Sequence, residues 1–279
     1  MRVRDILAVV TSETGDEHVI RFAEQIAKQN AAILSSLVVN WLPSVPLAVE
    51  GWAIDPLWGD LLVKAQERLE SEAAKIRTRL EREQDVARPE SLLLEIGAAR
   101  SVIGMRARHS DVTIVGRPSK ANSDSTHAIL EGPLFESGRP VIVVPPKWKT
   151  QEIGQSVLVC WKPTREAARA LGDADGFLSS ADRVTVVTVD AHPSEGGYGQ
   201  HPGADITTHL ARRDMKVELV NLDSAGRSET KAIQDQALAV NADLIVMGGF
   251  GRSRMSEFIF GGVTREMLKT SPVPLFLAH

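Results

Sequence analysis

The sequence predicts a doubly wound α/β protein built as two fused copies of one five-stranded parallel-sheet unit. Two observations carry this. Short apolar runs bounded by polar residues alternate with longer amphipathic stretches along the chain, the pattern of buried parallel strands joined by crossover helices. Landmarks also recur at one spacing: DVTIVGRPS at 111–119 parallels DLIVMGGFG at 243–251, and Pro140-Val141 parallels Pro272-Val273. A repeat of this kind decides the architecture before any single element does. DILAVVTSE at 5–13 and SVLVCWKPT at 156–164 open the two copies alike.

In the first copy, Ile6 to Val10 reads as a strand. Glu17 to Gln29 follows as an amphipathic helix with Val19, Ile20, Ala23, Ile26 and Ala27 on one face. Ala32 to Trp41 is the second strand, and a Pro- and Trp-bearing loop at 42–56 leads to a long helix with Leu61, Leu62, Ala65, Leu69, Ala73, Ile76 and Leu80 at helical spacing. Ser91 to Ile96, Val112 to Val115 and Val141 to Val144 complete the strands, with a short helix from Ala98 to Arg108. In the second copy strands are expected at 157–161, 183–189, 216–221, 243–247 and 273–277, and helices at 164–174, 204–213, 228–240 and 263–270. Residues 147–155 read as the linker, so the expected domains are 1–150 and 151–279. The loop 192–203 matches 42–56.

Composition narrows the function classes. At 279 residues the chain suits two domains. Its hydrophobic content of 43%, charged content of 24% and net charge of −4 are those of a globular protein with no basic excess for nucleic acid or anionic membrane. No apolar run approaches a membrane helix, and MRVRDILAVV is too short in its apolar part for a signal peptide. The lone Cys160 excludes an intrachain disulfide, and together these point to a reducing cytoplasm. Neither a nucleophile–base pair nor a metal-ligand cluster stands out among seven histidines and one cysteine. No catalytic and no metal-binding residues are therefore assigned. His201 and His209 are expected at the surface, and Thr164 is expected to cap the helix starting near Arg165.

The most informative stretch is 243–264. The strand Leu244 to Met247 runs into glycines at 248, 249 and 251, and a second glycine pair at 261 and 262 precedes a helix. Strand, glycine loop and helix start can cradle phosphate, because unpaired N–H groups and the helix dipole meet there. The pattern is neither G-x-x-x-x-G-K-[ST] nor G-x-G-x-x-G. It resembles the ATP loop of the universal stress proteins: G-x-x-G, nine residues, then G and a small residue, here Gly248, Gly251, Gly261 and Gly262, preceded by Met247 and followed by Val263-Thr264. The resemblance implies a Rossmann-like, adenine-nucleotide-binding fold with strand order 3-2-1-4-5 and its site between strands one and four. It assigns phosphate to the N–H groups of Gly251, Arg252, Ser253 and of Gly262 to Thr264. It places Val189 at the adenine, and Met247 and Cys160 along base or ribose. ATP or another adenine nucleotide is the implied ligand.

The chain departs from the family after its first strands. Where the family has Asp-Gly-Ser, this chain has Lys162-Pro163-Thr164 and Thr11-Ser12-Glu13. A lysine cannot ligate Mg²⁺, which puts the metal in question. Lys162 either sets a positive charge against the phosphates or marks a decayed pocket and points to water. In the first copy, Ser119 stands where Gly251 does, and Ile129 and Leu130 stand where Gly261 and Gly262 do. These large side chains are expected to fill the phosphate space, with Pro133 near the start of the following helix. The first copy is then scaffold and the second binds nucleotide, for stress response or signalling rather than turnover. Two alternatives stay open, an interaction scaffold without a nucleotide site and a slow nucleotide hydrolase. The last strands of the two copies are expected to pair antiparallel within the chain, making a pseudo-dimer; a further homodimer stays open.

Overall fold

A computed structural model of the chain describes residues 3–12, 14–43, 56–81, 89–118, 123–149, 152–193, 197–249 and 262–279. The expected strands form from short runs rich in β-branched residues or leucine, buried in the middle of the sheet and partly exposed at its two edges. In the first half they are β1 (Asp5–Val10), β2 (Ile33–Trp41), β3 (Glu90–Leu94), β4 (Val112–Gly116) and β5 (Val141–Val144). In the second half they are β6 (Ser156–Cys160), β7 (Arg183–Val189), β8 (Val217–Leu222), β9 (Leu244–Gly248) and β10 (Leu275–Ala278). The last begins two residues later than the sequence suggests. Pro274 has no N–H to give the ladder, although its carbonyl still accepts from Ile245 N–H at 3.0 Å.

All ten strands join one sheet in the order β3-β2-β1-β4-β5-β10-β9-β6-β7-β8. Each half thus has the order 3-2-1-4-5, and every pairing within a half is parallel. The halves meet where β5 and β10 pair antiparallel, with Phe276 opposite Ile142. Alternate strand residues feed two apolar layers. On one face lie α1 (Glu17–Asn30), α2 (Pro56–Leu80), α5 (Arg165–Asp173), α6 (Asp175–Ser180) and α7 (Ala204–Ala211). On the other lie α3 (Ile96–Ala107), α4 (Ser123–Glu136), α8 (Glu229–Ala239) and α9 (Gly262–Thr270).

Three features escaped the sequence reading. Helix α6 is a six-residue element held by burial of Phe177 and Leu178, with Phe177 meeting Phe276 edge-on at 5.9 Å. An aspartate heads the fourth strand of each half and ties down the first. Asp111 accepts the N–H groups of Arg4 (2.7 Å) and Asp5 (3.1 Å). The buried Asp243 accepts those of Gly154 (2.7 Å), Gln155 (2.8 Å) and Ser156 (3.0 Å). Burial pushes the Asp243 carboxyl above its usual range, and these donors act against the rise. The third feature corrects an expectation: Pro133 lies inside α4 rather than at its start. The helix survives because it is wedged onto α3, where Gly104 and Gly132 pass so closely that a Cβ on Gly132 would sit 2.4 Å from the Arg100 carbonyl oxygen.

The stretch 44–55 of the first long loop and 194–196 of its counterpart lie outside the described residues. No described helix is long and apolar enough to cross a membrane.

Candidate functional site

In the second half the strand order turns back between β6 and β9, the crevice at which open α/β sheets take ligands. The register brings Cys160 beside Met247 at the carboxyl ends of these strands, with Gly248 beside Ala278 on the other side of β9. Val189 ends β7, half-buried and paired with Leu222. Met247 is buried in the core. Cys160 keeps some surface, yet its surroundings are dry enough that burial pushes the thiol up to about 12.

Past β6 the chain turns sharply. Trp161 N–H donates to the Val187 carbonyl (2.8 Å), and Thr164 N–H donates to the Lys162 carbonyl (2.7 Å). The Lys162 side chain is exposed. Thr164 then caps α5, its hydroxyl accepting from Ala167 N–H at 3.3 Å. The first turn of α5 presses onto the end of β9. A Cβ on Gly248 would lie 2.6 Å from Ala167 N and 2.7 Å from the Glu166 carbonyl carbon. Gly248 is thus required by packing against a helix, whatever else it does.

Next in the chain, Gly249 N–H donates to the Ala278 carbonyl at 2.8 Å. Its own carbonyl lies 3.0 Å from His279 Nδ1. Gly251, Arg252, Ser253 and Gly261 lie outside the described residues. Beyond them Gly262 opens α9, exposed, with no atom of the described residues within 4 Å of where a Cβ would stand. Val263 is half-buried and Thr264 buried. The N–H groups of this first turn have no intrahelical acceptor. Of the residues singled out from the sequence, Cys160, Met247 and Gly248 are neighbours in the sheet, and Val189 ends the strand beyond β6.

The equivalent place in the first half is built differently. Ile129 and Leu130, opposite Gly261 and Gly262 in the repeat, are not plugs in a loop. Both lie buried within α4, which is already helical from Ser123. What stands at the end of β4 is polar. A Cβ on Gly116 would meet Val19 Cγ2 at 3.3 Å, His18 Nε2 at 3.5 Å and Asp16 Oδ1 at 3.6 Å. Asp16 turns back on its own loop, taking Thr11 N–H (2.6 Å), Thr11 hydroxyl (2.9 Å) and Ser12 N–H (3.3 Å). Half-buried His18 beside it has its pKa lowered by burial, against the pull of Asp16. Sequence reasoning missed Asp16, His18 and, directly after β4, Arg117. The position of Asp16 just before a helix was a signal available for the first of these.

Among the described residues, no group of three His, Cys, Asp or Glu side chains is placed to hold a metal ion. His201 and His209 are exposed, as expected.

Comparison with known proteins gives the fold its relatives. Residues 155–279 match the model of the Universal stress protein family. A universal stress protein from Archaeoglobus fulgidus DSM 4304 superposes with a TM-score of 0.69 at 16% identity, covering 98% of this chain and 96% of that one. A functionally unknown protein from Pseudomonas aeruginosa PAO1 does so with a TM-score of 0.58 at 15% identity, over 99% and 92%. A universal stress protein from Archaeoglobus fulgidus in complex with dAMP covers 52% of this chain and 99% of its own, at 19% identity and a TM-score of 0.31. No curated protein matches the chain.

Proposed function

We propose, taking as premise that residues 155–279 form a universal stress protein domain, that this domain binds ATP or a related adenine nucleotide in the crevice between β6 and β9. Base and ribose lie along Val189, Cys160 and Met247. The phosphates take the N–H groups of Gly251, Arg252 and Ser253 and of Gly262, Val263 and Thr264, where the positive end of the α9 dipole supports them. Lys162 supplies charge in place of a metal-binding aspartate, so binding needs little Mg²⁺. The reading is a nucleotide-responsive stress-signalling protein rather than a turnover enzyme. The chain divides into domains 1–150 and 151–279 that form a pseudo-dimer, the first serving as scaffold without a nucleotide.

One observation supports this above the others: α9 opens on an exposed glycine, while the matching Leu130 is buried inside a helix. Calorimetry with ATP tests it, alongside mass spectrometry of small molecules released from freshly purified protein. The unmodified protein is expected to bind ATP with or without Mg²⁺. Gly262→Leu is expected to abolish binding, and Lys162→Asp to make binding depend on Mg²⁺. ATP affinity undiminished in Gly262→Leu, or no affinity in the unmodified protein, overturns the reading.

A further inference from the structure

The elements flanking the proposed phosphate loop both reach the other half of the chain, the strand end before it through the C-terminal tail and the helix after it through its last turn. Before the loop, Gly249 is tied to the tail residues Ala278 and His279. The His279 ring meets Phe135 of α4 edge-on, with centroids 5.1 Å apart. After the loop, α9 is capped at its last turn from across the β5–β10 seam. The Arg117 guanidinium donates to the Lys269 carbonyl at 3.2 Å and to the Ser271 carbonyl beyond it. Arg117 is itself held by its N–H donating to the Val144 carbonyl at 2.9 Å. A cation there satisfies carbonyls that the helix leaves unpaired and complements the negative end of its dipole. With nine described residues, α9 is too short for intrinsic propensity to hold it. Its position is set by packing and by what grips its ends.

We propose that Arg117 is a positioning residue for the nucleotide site, the first half fixing α9 so that its first-turn N–H groups meet the phosphates. This rests on the nucleotide reading above. The repeat gives the second half no equivalent, because Gly249 occupies the matching place.

The test measures ATP and adenosine affinities of the full chain, of Arg117→Gln and of Arg117→Lys. Arg79→Gln serves as control, since Arg79 pairs with Glu24 at 2.8 and 2.9 Å in the first half, on the face of the sheet opposite α9. Arg117→Gln is expected to weaken ATP binding about tenfold and leave adenosine binding unchanged, in the range of ordinary site-to-site coupling. Arg117→Lys is expected to recover part of the loss. The control is expected to lower Tm without moving the ATP-to-adenosine ratio. A ratio unchanged in Arg117→Gln, or moved equally by the control, overturns the proposal alone. An unmodified protein that binds no ATP overturns it together with the reading beneath it. Should Arg117→Gln fail to fold, hydrogen exchange on the unmodified protein decides: ATP must slow exchange in the last turn of α9 and at Arg117, and no slowing there refutes the coupling.

Discussion

Replacing Gly248 with alanine separates two accounts of why glycine ends β9. The new Cβ would lie 2.6 Å from Ala167 N, 2.7 Å from the Glu166 carbonyl carbon and 3.0 Å from Ala167 Cα. Non-bonded heavy atoms settle at about 3.5 Å or more, and these three belong to helix backbone, which cannot rotate away. The first turn of α5 must therefore shift by roughly 0.5–1 Å, breaking the fit of a packed interior; such overpacking costs about 1–3 kcal/mol. A smaller unfolded-state entropy returns about 0.4–1 kcal/mol, leaving a net loss of about 1–2 kcal/mol. Gly116 is the built-in control. Its Cβ would meet side chains only, Val19 Cγ2 at 3.3 Å, His18 Nε2 at 3.5 Å and Asp16 Oδ1 at 3.6 Å, so Gly116→Ala is expected to lie within about 0.5 kcal/mol of the unmodified protein. Urea unfolding, followed by the fluorescence of the five tryptophans, measures both. Equal midpoints for the two variants would refute the packing account and leave Gly248 to be explained by ligand alone.

Other outcomes follow from the same geometry. Because the folded pKa of His18 is lowered by burial, its contribution to stability is fully present above its ordinary value of about 6.5 and is lost as pH falls below it. His18→Gln should flatten the stability profile between about pH 7 and pH 5, and an unchanged profile counts against a dry site there. With its thiol pushed up to about 12, Cys160 should react with a disulfide reagent at neutral pH orders of magnitude more slowly in the native state than after unfolding; equal rates would mean an accessible thiolate. Asp243→Ala strips a partner from three backbone N–H groups and is expected to cost about 2–4 kcal/mol. Asp111→Ala, with two such bonds at an exposed position, should cost about 1 kcal/mol. A reversed order of the two losses, again by urea unfolding, would contradict the clamp.

The central strands were legible because burial on both faces leaves a strand almost nothing but apolar residues, and the repeat checked each assignment against its double; their order was implied by the family resemblance. What the sequence hid was long-range. Asp243 reads as an ordinary polar boundary residue, and only the fold brings Gly154, Gln155 and Ser156 to its carboxylate. Arg117 reads as a surface arginine after a strand, yet its partners lie more than 150 residues away. Pro133 misled because a proline next to glycine usually opens a helix; the close passage of Gly104 over Gly132 rewards a continuous helix more than the proline penalises it. At the site, Met247 and Cys160 were placed by their strand ends alone, whereas the packing reason for Gly248 required knowing where α5 begins.

The antiparallel pairing of β5 with β10 has one further consequence. Subunits that meet through identical edges part on dilution, and any change in the edge alters both sides at once. Here the edges are two different sequences on one polypeptide, so their association follows effective rather than bulk concentration. Each side is free to change alone, and a micromolar and a nanomolar solution of this protein should contain the same joined sheet.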